Sequence, residues 1–232
     1  MKHSTPVIMH ERELARLIER FCAELGAAVP ASLPHALPLL VSLATEIADA
    51  GSRLGLTRYT TAETVFRRLL LPSLAALKWL PPSSPLLVVD VGCGAGGTGL
   101  TLATVCPNWR VTLVDRRKRA TAFVDILSAR LGLKNVHTLT ADAASYTPEE
   151  RCNAALFRAV AAPHEDLKMA SSWVKPGGLA LIWTAPTGEV PRPSRWELIG
   201  TAHLPEPPIC VLVYTRHTGD VENSVDIVEC RE

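Results

Sequence analysis

Residues 86–100 read LLVVDVGCGAGGTGL, and this stretch decides the fold. Leu86 to Val89 is a short apolar run rich in β-branched side chains, the pattern of a parallel strand buried on both faces. Asp90 closes the run, and glycines follow at 92, 94, 96, 97 and 99 before apolar residues resume at helical spacing from Leu100 to Val105. Strand, glycine-dense turn and helix make half of a nucleotide-binding βαβ unit. The glycines let the chain turn sharply and let a ligand approach backbone N–H groups at a helix N-terminus.

Downstream, strand-like and helix-like stretches alternate. Arg110 to Asp115, Val136 to Thr140, Ala154 to Val160 and Gly178 to Trp183 read as strands two to five. Lys118 to Leu131 and His164 to Val174 read as helices. This alternation predicts a doubly wound α/β sheet. The end of the chain differs: Trp196 to His203 and Ile209 to His217 are extended stretches joined by LPEPP, too short for a crossover helix. They predict an antiparallel pair at the sheet edge, with a further short strand at Val225 to Val228. Upstream, helical spacing covers Glu11 to Ala28, Leu39 to Leu54 (ended by Gly55) and Thr61 to Trp79, with the Pro30 to Pro38 region as a break. Pro81, Pro82 and Pro85 then separate the helices from the first strand, so the chain divides into a helical region 1–80, a ligand-binding domain 81–217 and a tail 218–232.

Composition narrows the classes. With 232 residues, 47% hydrophobic and 20% charged, the chain is globular rather than disordered. A formal net charge of +1 makes any nucleic-acid-binding face a local patch. The six cysteines are scattered, without C-x-x-C pairs or clustering with histidine, so no metal site is expected and reduced thiols in the cytoplasm are. The N-terminal MKHSTPVIMHERE lacks a secretory apolar core, and no apolar run is long enough to span a bilayer.

Two ligands compete for the glycine turn. Gly92, Gly94 and Gly97 satisfy G-x-G-x-x-G, and Asp115 lies at about the ~20-residue spacing of a ribose-binding acid in dinucleotide folds. Against that, Asp90 gives D-x-G-x-G-x-G, about eighty residues of helix precede the first strand, and an antiparallel hairpin closes the sheet. These features, with Val174-Lys175-Pro176-Gly177-Gly178 before strand five, resemble the class I S-adenosylmethionine-dependent methyltransferases. The resemblance implies a Rossmann-like, seven-stranded sheet with an antiparallel last strand. It implies a cofactor loop of Asp90, Gly92, Gly94, Gly96 and Gly97, in which Gly92 and Gly94 lie against the methionine moiety. Asp90 then accepts from the ammonium or braces the loop, Asp115 accepts from the ribose hydroxyls, and Asp142 accepts from the adenine amino group. Each acid has an ordinary alternative as a cap or turn residue.

From about Gly55 to Val160 the chain resembles the RsmG (GidB) family of 16S ribosomal RNA guanine-N7 methyltransferases. The matching residues are Leu56-Thr57, Val65 to Leu71 with Arg67-Arg68, Ser73-Leu74, Asp90 to Gly96, Leu113-Val114-Asp115, Lys118-Arg119 with Phe123, Leu131 to Val136 including Asn135, and Phe157-Arg158-Ala159-Val160-Ala161. By this resemblance Arg158 lines the cofactor and guanine site, and Ala143 and Ala144 supply backbone contacts. The partner implied is 16S rRNA or the small ribosomal subunit, with no obligate protein partner. The chain departs from the family pattern at Gly55, Leu69, Pro72, Asp142, Ile182 and Trp183, which leaves a different RNA, a small-molecule acceptor or a non-catalytic cofactor-binding role as alternatives. Guanine N7 presents a lone pair and needs no general base, so no catalytic residue is assigned. Phosphate contacts are expected from Arg67, Arg68, Arg116, Arg117, Lys118, Arg119, Arg192 and Arg195. Trp183 and Trp196 are candidates for base stacking or core packing.

Overall fold

The computed structural model describes residues 10–186 and 190–218, with the backbone of residues 225–228. The strands β1 (Leu87–Val91), β2 (Arg110–Asp115), β3 (Val136–Thr140), β4 (Cys152–Arg158), β5 (Val174–Thr184), β7 (Trp196–Leu204) and β8 (Ile209–Arg216) form one sheet in the order β3-β2-β1-β4-β5-β8-β7. β1 to β5 are parallel, and β8 runs antiparallel between β5 and β7. The short strands β6 (Val190–Pro193) and β9 (Val225–Val228) pair separately. The expected α/β class and the antiparallel closing hairpin are both present.

Side chains alternate across the pleat and so divide the core into two layers. Val88, Ala154 and Leu156 face one layer with helices α1 (Glu11–Leu25), α2 (Leu33–Glu46), α5 (Gly97–Val105) and α6 (Lys118–Arg130). Val89, Ala155 and Phe157 face the other with α7 (Pro163–Trp173). The N-terminal helices share the first layer's core with the sheet, through Leu14, Ile18, Leu40 and Leu43.

All three helical stretches differ from expectation in their bounds or regularity. α1 ends at Gly26, whose φ of +66° suits a left-handed C-cap. α2 then starts well before Leu39: Pro34 sits in the first turn, where its missing N–H has no helical partner, and Pro38 is accommodated inside the helix. The third stretch is a run of short pieces. Thr61 caps α3 (Ala62–Val65) by accepting from the Thr64 N–H, a π turn covers Phe66–Leu70, α4 (Leu71–Ser73) contains Pro72, and a 3₁₀ turn covers Leu74–Lys78. Proline inside this run removes one backbone donor and disturbs the regular α ladder.

Asn135 fixes the β1–β3 side of the sheet at the amino ends of its strands. Its Nδ2 lies 3.0 Å from Trp109 O, 3.1 Å from Ala103 O and 3.4 Å from Cys106 O, joining the start of β3 to the end of α5 and the start of β2. Asn135→Ala leaves these carbonyls short of a donor and is expected to cost about 1–3 kcal/mol of stability in urea denaturation; an unchanged midpoint would show that water replaces the amide at no cost.

Candidate functional site

The carboxyl ends of β1, β2, β4 and β5 open onto a crevice, the place where open α/β sheets take ligands. It consists of a cavity of about 850 Å³ and a second of about 390 Å³, which share Gly92, Arg117, Ala159 and Ala161 as walls. The turn between β1 and α5 forms the floor. Gly94 has a φ of +55°, and a Cβ there would meet nothing closer than 3.8 Å, one of those contacts being Arg117 Nη2. This is an open backbone surface. Gly92 and Gly97 serve the chain's own packing instead, since Cβ atoms there would lie 2.9 Å from Val160 Cγ2 and 3.2 Å from Leu69 Cβ. Gly96, with φ +79°, makes the turn itself, and a Cβ would strike Leu100.

Asp90 braces this turn from beneath. It is 2% exposed and accepts the Gly99 N–H at 2.8 Å. Burial pushes its pKa up to about 7, against the pull of the Gly99 bond and the charge of Arg158. Asp115, at the tip of β2, is the opposite case. Burial works against its charge, yet donors from Arg117 and Gly94 hold it below the usual carboxylate range. Oδ1 accepts from the Arg117 N–H (2.9 Å) and Nε (3.0 Å), and Oδ2 accepts from the Gly94 N–H (3.0 Å) and Arg117 Nη2 (3.1 Å). Cys93 between them is buried, and burial with the two acids raises its thiol far above the ordinary value, so it is an inert filler.

Arg158 ends β4 and lines the larger cavity, but its donors point into the helical layer. Nη1 donates to Leu69 O at 2.7 Å, and Nη2 donates to Arg68 O. The second bond has a clear origin: Pro72 has no N–H for the carbonyl four residues before it, and Arg158 supplies one. Trp183, beside Arg158 in the β4–β5 register, donates through Nε1 to Pro72 O at 3.0 Å. Three of the positions that depart from the family pattern, Leu69, Pro72 and Trp183, therefore meet around one arginine. Desolvation brings the Arg158 pKa down to about 10, which leaves it charged at neutral pH. Ala159 follows with φ +55°, a left-handed conformation that costs a non-glycine residue about 1–2 kcal/mol and sits at the wall shared by both cavities.

The remaining expected residues divide. Asp142 and Ala143 line the smaller cavity with Asp115, Arg116 and Arg117. Asp142 Oδ1 accepts the Ala144 N–H at 3.0 Å as an ordinary turn residue, and Ala144 lines neither cavity. Arg68 and Arg117 line the larger cavity, whereas Arg67 is turned to Glu63 at 3.1 Å. Lys118 and Arg119 start α6 outside both cavities. Arg195 lies at the other end of the sheet, next to Trp196, which pairs with Arg216 while Thr215 pairs with Leu179 near the start of β5. Arg192, on β6, also lines neither cavity. Trp196 is 4% exposed and belongs to the core.

Residues missed in sequence are Arg58 and Tyr59, in the link before α3, and Pro207 and Pro208, in the β7–β8 turn. The Arg58 guanidinium stands 5.3 Å from the centre of the Tyr59 ring. Non-repetitive segments carry no periodicity, so the adjacent Leu56-Thr57 match was their single sequence signal. Arg58, Arg68, Arg117 and Arg158 against Asp90 give the larger cavity an excess of positive charge.

Two outcomes follow for the arginine and the aspartate. Arg158→Ala takes a donor from two helix carbonyls, of which Leu69 O keeps the Ser73 hydroxyl, and should lower stability by about 1–3 kcal/mol together with ligand binding; a wild-type urea midpoint would place the guanidinium elsewhere. Asp90 takes up a proton on folding between about pH 4 and 7, so its contribution is full below the ordinary carboxylate pKa and is lost as pH rises through about 7. Asp90→Asn, which keeps an acceptor for Gly99, should gain stability relative to wild type from pH 4 to pH 8 in thermal melts; a constant gap contradicts this.

Comparison with known proteins agrees with this architecture. Residues 36–189 match the family model GidB, described as rRNA small subunit methyltransferase G. The ribosomal RNA small subunit methyltransferase G of Bordetella avium is 29% identical over 191 residues, 79% of this chain and 84% of that protein. That of Myxococcus xanthus is 35% identical over 160 residues, 68% of this chain and 71% of that protein. Among solved structures, a SAM dependent methyltransferase from Aquifex aeolicus has a TM-score of 0.52 at 16% identity, covering 66% of this chain and 93% of that one, a likeness of fold. The family model covers the helical layer from residue 36 onward, the glycine turn, Asp115 and Arg158 together, and the chain belongs to the GidB family of rRNA small subunit methyltransferases.

Proposed function

We propose that this protein is a cytoplasmic S-adenosylmethionine-dependent methyltransferase that modifies N7 of a guanine in the 16S rRNA of the small ribosomal subunit. The observation that carries the reading is Asp115, a charged carboxylate at the tip of β2 that lines the smaller cavity and accepts the N–H of Gly94, whose open backbone lines the larger one. The residues suit the elongated cofactor. A carboxylate beside a bare glycine surface matches vicinal ribose hydroxyls, Asp142 and Ala143 form an end for a base, and Gly94 forms a floor for the amino-acid moiety. When bound, the cofactor supplies a methyl group on a sulfonium as the electrophile.

The protein's own part is positioning. Guanine N7 attacks through its ring lone pair, so the site has to hold the two reactants in line and exclude water. Arg58 and Arg68 at the larger cavity meet RNA phosphates, which position without specifying. Tyr59 brings aromatic surface to the same cavity, where a splayed base stacks, while Trp183, 4% exposed, packs in the core behind it. Among the described residues no helix is long and apolar enough to cross a membrane.

The test is transfer of labelled methyl from S-adenosylmethionine to small subunits and naked 16S rRNA from a strain lacking its own enzyme. Label on a single guanine, mapped to N7, is expected, with Tyr59→Ala lowering the rate about 10-fold or more. Label on metabolites with none on RNA would overturn the acceptor and give the Leu69–Pro72–Trp183 replacements a different substrate to explain.

A further inference from the structure

The Asp115 carboxylate offers about four acceptor positions, and all are filled: two by backbone N–H groups of Gly94 and Arg117, two by the Arg117 side chain. The backbone donors are set by β2 and the glycine turn. A ligand that takes two bonds from this carboxylate must therefore take them from the Arg117 guanidinium. The guanidinium also stands over the open surface of Gly94, 3.8 Å from where a Cβ would be, and forms part of the wall between the cavities. Its side chain is 41% exposed, while that of Asp115 is 4% exposed, so the arginine is the mobile partner of the pair.

We propose that Arg117 is a latch on the ribose edge of Asp115: the cofactor displaces it, and the displaced guanidinium becomes an RNA phosphate contact at the larger cavity, coupling cofactor occupancy to RNA affinity. The inference rests on the proposed function and adds an order of events to it. In the unliganded protein the cation is neutralised by Asp115. With ribose on the carboxylate, that charge is released beside Arg58 and Arg68, which line the same cavity. RNA then meets one more cation after the cofactor has entered than before. The coupling is reciprocal, since each ligand raises the affinity of the other by the same factor.

The experiment measures S-adenosylhomocysteine binding by calorimetry and binding of a fluorescent 16S rRNA fragment by anisotropy, with and without S-adenosylhomocysteine, in wild type, Arg117→Ala and Arg117→Gln. Wild type is expected to bind the RNA more tightly with S-adenosylhomocysteine present, with a salt slope steeper by about 0.7–0.9 for the added phosphate contact. Both variants should bind S-adenosylhomocysteine roughly two- to fivefold more tightly, the scale of an ion pair with one partner open to solvent. Their RNA affinity and salt slope should not respond to it. Variants that bind S-adenosylhomocysteine as wild type does, or less tightly, overturn the latch and leave the proposed function standing. A wild-type protein that binds no S-adenosylhomocysteine overturns both.

Discussion

The site is organised by a carboxylate that must stay charged at the tip of a buried strand. Asp115 is 4% exposed, and in such a place an ion survives only with a full set of donors. The donors come from the turn after β1 and from the residues that open α6, so one charge holds β2, the glycine turn and the helix start in mutual register. Asp90 secures the same turn from inside through Gly99. Two aspartates on neighbouring strands therefore do different jobs. One is buried, with its pKa raised, and mechanical; the other is ionised and held by donors from the glycine turn and Arg117.

The helical layer is attached to this machinery by polar bonds as well as by core packing. Arg158 reaches from the end of β4 to the carbonyls of Arg68 and Leu69, and Trp183 reaches from β5 to that of Pro72. A proline that breaks the α ladder thus frees one of the acceptors, Arg68 O, that tie the layer to the sheet. The crevice is built from both parts: its floor belongs to the sheet and one wall to the segment 56–69. For an RNA enzyme this is useful, because the wall brings Arg58, Tyr59 and Arg68 to a pocket that the sheet alone leaves open.

Much of this was legible in the sequence, and the limits are physical. The buried parallel strands declare themselves as apolar runs, and β2 and β3 fall on the stretches read for them because both ends are marked by polar residues. The hairpin followed from the shortness of LPEPP. Pro34 and Pro38 misled, since proline tolerated in a first turn or inside a packed helix looks the same in sequence as proline that breaks one. The side-chain roles were harder still. Asp115 was readable from its strand end, but its engagement with Arg117 was not, because a run of four basic residues looks like a solvated helix start. Arg195 looked equivalent to those residues, and register alone puts it at the far end of the sheet. Tyr59 had no pattern around it.

The most direct test of the account is an experimental structure of the protein with S-adenosylhomocysteine. The account predicts the ligand along both cavities, its two ribose hydroxyls on the Asp115 carboxylate and the Arg117 side chain turned away from that carboxylate. A ligand bound with the Asp115–Arg117 pair intact, or seated outside this crevice, would contradict it.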